Sequence, residues 1–483
     1  MEELNLFSRR DFLGKGSAAL GLSSALWSGG CESFYELINN RPTRRNIQEL
    51  SLSDPIIKTY TNAVAAMKKL PASDPRSWQG QANIHFNKCT HSNWLWLPWH
   101  RVYLLYFESI CRKLTGDTKF ALPYWNWTTH PAVPDAFWNT SSPLYNLTRV
   151  ASQTDQADPS YIGAGVIQNI LNEPNFDLFA SKPPLTSDLH SPGLSTTGPL
   201  EATPHNNIHG FVGGDMGAFH SPLDAVFWTH HCMLDCLWAH WNMDLGNANT
   251  NDPAWVNFAI KDFVDENGSP VTFDVGFTPL LPLTLYQYEP CSLMQGGGQS
   301  KITQNKKTLE KFLRDGAPSK LEFVRRFESR EPLTAEVGKP VTRAIKVEAG
   351  ALRDVLEGGP RNRAVLTIAD VDIPEKRDFF VRVFAGKPGI LADTSIDDPR
   401  YAGSFGFFFD ETMQMSHAPE PGGTGRPRTG FLVDLTSTLR KLNQAGSLSP
   451  EELDVSFVAV PYGQRAATGH LTLQRLELGV ARF

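Results

Sequence analysis

Two textures of hydrophobic pattern divide the chain. Between residues 51 and 70, Ile56, Ile57, Tyr60, Val64 and Met67 recur at helical spacing and Pro71 closes the run, which predicts an amphipathic helix. His100, Leu104, Phe107 and Cys111 repeat that spacing behind Pro98, so His100 falls on a buried stripe. Another helical pattern runs on through Asp235, Trp238 and His240. Residues 123–127 form an aromatic strap suited to packing, and residues 128–200, rich in Pro, Ser, Thr, Asn and Asp, predict long loops that frame a site. Beyond residue 307 the period changes. Short apolar runs at 364–368, 379–384, 405–409, 430–433 and 455–460, separated by Gly, Pro and Asp turns, predict a small β-sandwich or barrel-like domain with one helical excursion near 437–443. Between the textures, the polar and basic residues 294–307 predict a flexible linker open to proteases. The expected divisions are a leader at 1–31, a helical domain at 45–291, a linker at 292–330 and a β-domain at 331–483.

Composition adds an address. The 483 residues, 41% of them hydrophobic, give ample core for two or three domains, and a net charge of -6 argues against nucleic acid as a partner. Ser8-Arg9-Arg10-Asp11-Phe12-Leu13 followed by a weakly apolar run at 16–27 has the form of a twin-arginine export signal, and that run is too short for stable membrane insertion. The expected location is periplasmic or secreted. Cys31 after Ser28-Gly29-Gly30 is a weaker reading as a lipid anchor, since a leucine is expected at position 28. Six cysteines, at 31, 89, 111, 232, 236 and 291, are not distributed as a disulfide framework. Cys111 reads as a buried thiol, and Cys232 with Cys236 as helix packing.

Histidine carries the candidate chemistry. His205 and His209 stand i, i+4 on one helical face, and the run Phe227-Trp228-Thr229-His230-His231 offers a third imidazole. Upstream, His85, His91 and His100 supply three more. Neutral imidazoles without thiolate or bridging carboxylate suit borderline metals, and two all-nitrogen sites facing one another can cycle copper and share one dioxygen. The spacing predicts oxygen chemistry. Asp235 orients a ligand or ties two helices together through Arg101. His130, His190, His220, His230, His240, His417 and His470 belong to no motif.

At these residues the sequence resembles the tyrosinase and polyphenol oxidase family of type 3 copper proteins. One signature is His91, a short spacer, then Trp99-His100-Arg101-x-x-Leu104-x-x-x-Glu108, with Trp96 where the family usually has Phe. The other is Asp224-Ala225-Val226-Phe227-Trp228-x-x-His231-x-x-x-Asp235, with Ala225 in place of the usual Pro. The resemblance settles the choice within the His230-His231 pair on His231. It is closest to the plant-type enzymes, through Asp252-Pro253-Ala254-Trp255, Tyr286-x-Tyr288, the run 379–384 and residues 401–405. It implies a mainly α-helical catalytic domain, a four-helix bundle holding two copper ions, followed by an all-β sandwich-like domain that covers the active site. His85, His91 and His100 would hold one copper, and His205, His209 and His231 the other. Cys89-Thr90-His91, with the short spacing of fungal members, implies a thioether between Cys89 and His91. Glu201 matches the glutamate that holds a water near the coppers, and Asn206 the amide that helps it remove a phenol proton. Phe219 matches the aromatic gate when counted within Met216-Gly217-Ala218-Phe219, whereas counting back from His231 gives Ala218.

The implied activity is O2-dependent hydroxylation of monophenols and oxidation of o-diphenols to o-quinones. A catechol or o-aminophenol oxidase without monophenolase activity is the alternative. An oxygen carrier is remoter, because repeated units are absent and a leader of bacterial form is present; a dizinc hydrolase is disfavoured by the lack of a bridging carboxylate. The β-domain has no catalytic constellation of its own, so it is expected to act as a lid, with the blocking side chain in the run 405–409 or the loop 413–415. Cutting between residues 296 and 307, followed by release of the domain, is then expected to raise turnover without changing copper content.

Overall fold

The computed structural model describes residues 40–184, 189, 196–289, 322–359, 361–408, 428–449 and 451–482. The expectations for the leader, Cys31, His190, Cys291, His417, the loop 413–415 and the protease-sensitive residues 296–307 lie outside the described residues. The longer helices are α1 (Pro55–Lys69), α2 (Trp78–Lys88), α3 (Trp96–Thr115), α4 (Ala164–Leu171), α5 (Asn206–Val212), α6 (Val226–Met243) and α7 (Thr436–Gln444). The longer strands are β1 (Glu322–Ser329), β2 (Leu333–Glu336), β3 (Val341–Lys346), β4 (Asn362–Asp372), β5 (Phe379–Ala385), β6 (Tyr401–Phe405), β7 (Arg428–Asp434), β8 (Glu452–Pro461) and β9 (His470–Arg482). Among the described residues no helix is long and apolar enough to cross a membrane. Contacts divide the chain into two units, Met1–Cys89 with Leu95–Leu147 and His220–Ala317, and Thr90–Trp94 with Thr148–Phe219 and Pro318–Phe483.

The first unit is a bundle of α1, α2, α3 and α6. Asp54 and Ser77 cap α1 and α2 by accepting backbone N–H groups, and Gly116 in the left-handed conformation ends α3. The bundle closes on aromatic rings. Trp228 of α6 stacks on Phe107 of α3 at 3.5 Å between centroids and meets Tyr103 at 4.7 Å and Trp78 at 6.3 Å.

The second unit is β-rich. One sheet has the order β6-β5-β8-β3, and the other runs Thr196–Thr197, β7, β4, β9, β1, with β2 also paired to β9. Leu366, Ile368, Val381, Phe405, Phe431, Phe457, Leu476 and Leu478 fill the space between them, the alternation that a two-layered sandwich requires. Three differences from expectation have physical reasons. The sheet begins at β1, inside the stretch expected to be linker, because Glu322–Ser329 pairs antiparallel with β9. The expected loops at 128–200 contain α4, whose Ile167, Ile170 and Leu171 bury one face. Strand β6 stops at Phe405, before the end of the apolar run, and Gly406 leaves it to donate to the Ala202 carbonyl.

Candidate metal centre

Each unit contributes three of the six candidate histidines, all at most 4% exposed. In the helical unit these are His85 near the end of α2, His100 on α3 and His231 on α6. His100 and His231 stack at 4.3 Å, and the Nε2 atoms of His100 and His85 converge to 3.4 Å. Phe227 closes over His85 at 5.0 Å and over His231 at 4.2 Å. Cys89 is buried at the end of α2, where its N–H donates to the His85 carbonyl.

In the β-rich unit His205 ends a π-helical turn, Glu201–His205, that contains Pro204 and leads into α5, which carries His209. Their rings lie 4.5 Å apart, and His91 stands 5.2 Å from His205. Burial drives the His205 pKa down to about 3, so this ring is neutral. Glu201, buried in the same turn, is pushed up to about 8 by desolvation, against the hydrogen bonds from Ser92 and Ser181.

The far ring nitrogens fix the tautomers. His100 Nδ1 donates to the Trp96 carbonyl at 2.7 Å and His209 Nδ1 to the Met216 carbonyl at 2.6 Å, since a carbonyl only accepts. His91 Nδ1 lies 3.1 Å from Glu201 Oε1 and donates to it when Glu201 is ionised. Asn206 Nδ2 donates to the Gly406 carbonyl at 3.0 Å, which turns Asn206 Oδ1 toward His205 Nδ1 at 2.8 Å. In His100, His205 and His209 the lone pair is therefore on Nε2, the form that ligates a metal, and ionised Glu201 sets the same form in His91.

Two phenylalanines lie on the imidazoles of the second set. Phe408 sits 4.0 Å from His209, 5.0 Å from His91 and 5.4 Å from His205, and Phe219 stacks on His91 at 5.5 Å. Phe408 belongs to the run expected to hold the blocking residue. Asp235 ties α6 to α3 by pairing with Arg101 Nε. It also accepts from Arg44 at 2.9 Å, Tyr286 at 2.7 Å and Tyr288 at 2.6 Å. Burial alone would raise the Asp235 carboxyl, but Arg101 and Arg44 hold it below its ordinary value. Sequence reasoning missed Arg44, Ser92 and Ser181, none of which has a pattern around it.

Each unit thus carries three buried imidazoles, nitrogen donors suited to a metal. The common central domain of tyrosinase matches residues 62–197 and 145–244. A tyrosinase of Hahella sp. (strain CCB-MM4) is 26% identical over 496 residues, covering 90% of this chain and 98% of that protein. The (+)-larreatricin hydroxylase of Larrea tridentata is 33% identical over 276 residues, 48% of this chain and 47% of the relative, so the chain spans about half the length of that curated relative. A solved latent aurone synthase, a polyphenol oxidase, is similar in fold, with TM-score 0.65 and 23% identity over 92% of this chain and 90% of that one. Residues 62–244 carry the common central domain of tyrosinase, and the chain is similar to tyrosinases and polyphenol oxidases, which are copper oxidoreductases. Two copper ions are the cofactor of this family, and buried imidazoles presenting Nε2 fit them.

Proposed function

We propose that the chain is a latent polyphenol oxidase that uses O2 to hydroxylate monophenols and to oxidise o-diphenols to o-quinones. The observation that carries the reading is the tautomer set, with His91, His100, His205 and His209 each tied at Nδ1 and presenting Nε2. His85, His91 and His100 would hold one copper, and His205, His209 and His231 the other. Copper supplies the redox capacity and activates dioxygen. The protein's own part is to bind and orient the phenol, exclude water and move its proton.

Glu201 and Asn206, which bracket His205 in the chain, hold a water that removes the phenol proton. Phe219, face-on to His91, offers an apolar surface to an incoming ring. Asp235 keeps α3 and α6 in register, and with them His100 and His231. A thioether from Cys89 would restrain His91 further, and the twin-arginine leader would carry the folded chain out of the cytoplasm.

Latency follows from residues 405–408. Phe408 occupies the space over three imidazoles, and the Gly406 carbonyl accepts one of the Asn206 amide hydrogens. Oxygen uptake by the copper-loaded Phe408→Ala chain tests the reading. Turnover of both tyramine and catechol is expected. Rapid use of catechol with tyramine left untouched would transfer the chain to the catechol oxidases, and use of neither would end the proposal.

A further inference from the structure

We propose that Glu201 orients His91 through one carboxyl oxygen and that Ser181 and Ser92 are positioning residues that direct that oxygen to the ring; the proposal rests on His91 being a copper ligand. The carboxylate is fully enclosed, and each oxygen has its own partners. Oε1 accepts the Ser92 N–H at 2.7 Å and the His91 Nδ1–H at 3.1 Å. Oε2 accepts the Ser181 hydroxyl at 2.8 Å. Ser181 Oγ also lies 2.7 Å from the Ala180 carbonyl, a second acceptor for the one hydrogen of the hydroxyl. The lone pairs of Ser181 Oγ accept the Gly198 N–H at 2.9 Å, which sets the direction of the hydroxyl.

The backbone is shaped around this arrangement. Ser92 adopts φ 59°, the left-handed region that a non-glycine residue enters at a cost of about 1 kcal/mol or more. The return is an amide aimed at Oε1, and Thr197 Oγ1 holds Ser92 in place by donating to its Oγ at 2.9 Å. Ser181 and Thr197 form an antiparallel bridge that brings the two chain segments together. Gly198 permits the approach, since a Cβ there would stand 1.8 Å from the Ala180 carbonyl oxygen. A buried polar cluster of this kind is costly to assemble and adds little apolar contact, so its geometry points to the one group it faces, the His91 ring.

A carboxylate on Nδ1–H locks the tautomer, directs Nε2 and makes the ring a stronger donor to a metal. The labour divides between the two oxygens. Oε1 serves His91, while Oε2, with Ser181 on one lone pair, has another for the water assigned to it above. Loss of this clamp lowers the affinity for one copper and leaves the other alone.

The test is copper retention by the full chain against a competing chelator, with Ser181→Ala, Ser181→Thr and Glu201→Gln beside the parent. In Ser181→Ala and Glu201→Gln one of two coppers is expected to be released about 10–100-fold more readily, with the second unchanged and the melting temperature of the metal-free chain within a few degrees of the parent's. Ser181→Thr, which keeps the hydroxyl, is expected to restore retention. Should Ser181→Ala fail to fold, Glu201→Gln, equal in size, decides the matter by itself. Both coppers held as tightly as in the parent would overturn the proposal while leaving the proposed activity intact. A parent that takes up no copper would overturn the ligand reading and the clamp with it.

Discussion

At the scale of single residues the site depends on what lies behind each imidazole. The histidines themselves were legible because a metal demands several of them at close spacing, and the i, i+4 pair His205 and His209 survives even though His205 ends a π-turn and His209 stands on the α-helix that follows. Two of the four orienting partners are backbone carbonyls, at Trp96 and Met216, and a carbonyl has no signature in the sequence. The Glu201 cradle shows the same limit. Its tightest constraint is an absent side chain, and Gly198→Ala is predicted to push the Ser181 segment away from Glu201. A stability loss of about 1–3 kcal/mol in chemical denaturation is expected; an unchanged midpoint would show that the two segments separate freely.

At the scale of elements the bundle is held by an ionic core. Arg44 bonds Glu108 and Asp235, both at 2.9 Å, and lies 3.7 Å over the Tyr286 ring, so one guanidinium serves α3, α6 and the chain near residue 286 together. Arg44→Met leaves two buried carboxylates short of a partner and is predicted to cost about 3–5 kcal/mol in denaturant unfolding. The same core sets the response to acid. Asp235 has its folded pKa below the unfolded value, so its contribution is present above the ordinary range of about 4 and is lost as pH falls through the lower, folded value. Asp235→Asn is therefore predicted to flatten the fall in melting temperature below about pH 4; an unaltered slope would remove Asp235 from the acid response. Helices of this kind were readable because a long element repeats its buried stripe several times. The strand β9 was not, since its buried leucines change parity between Leu473 and Leu476 and no single period-2 run marks it.

At the scale of the molecule the β-rich part is more firmly joined to the segment 148–219 than a lid on a flexible tether would be. Arg363 pairs with Glu173 at 2.7 Å, Arg382 with Asp158 at 2.9 Å, Tyr462 donates to Asn207 at 2.9 Å, and β7 runs parallel to Thr196–Thr197. Cutting the peptide between residues 296 and 307 breaks none of these contacts. A nicked chain is predicted to co-elute as one particle with catechol turnover near that of the intact protein, while Phe408→Ala raises turnover several-fold without a cut. Full activity on nicking alone would mean that the covalent tether, and not residues 405–408, maintains latency. The division into a helical and a β part was plain in the sequence, because hydrophobic period reports element type; which β residues touch the site was not, because that depends on where β6 stops.

The central claim is a pair of coppers held by six named imidazoles, and native mass spectrometry of the copper-loaded chain tests it most directly. The parent is predicted to carry two coppers, and His100→Ala and His209→Ala each to retain one tightly. Two tightly held coppers in either variant, or fewer than two in the parent, would contradict it.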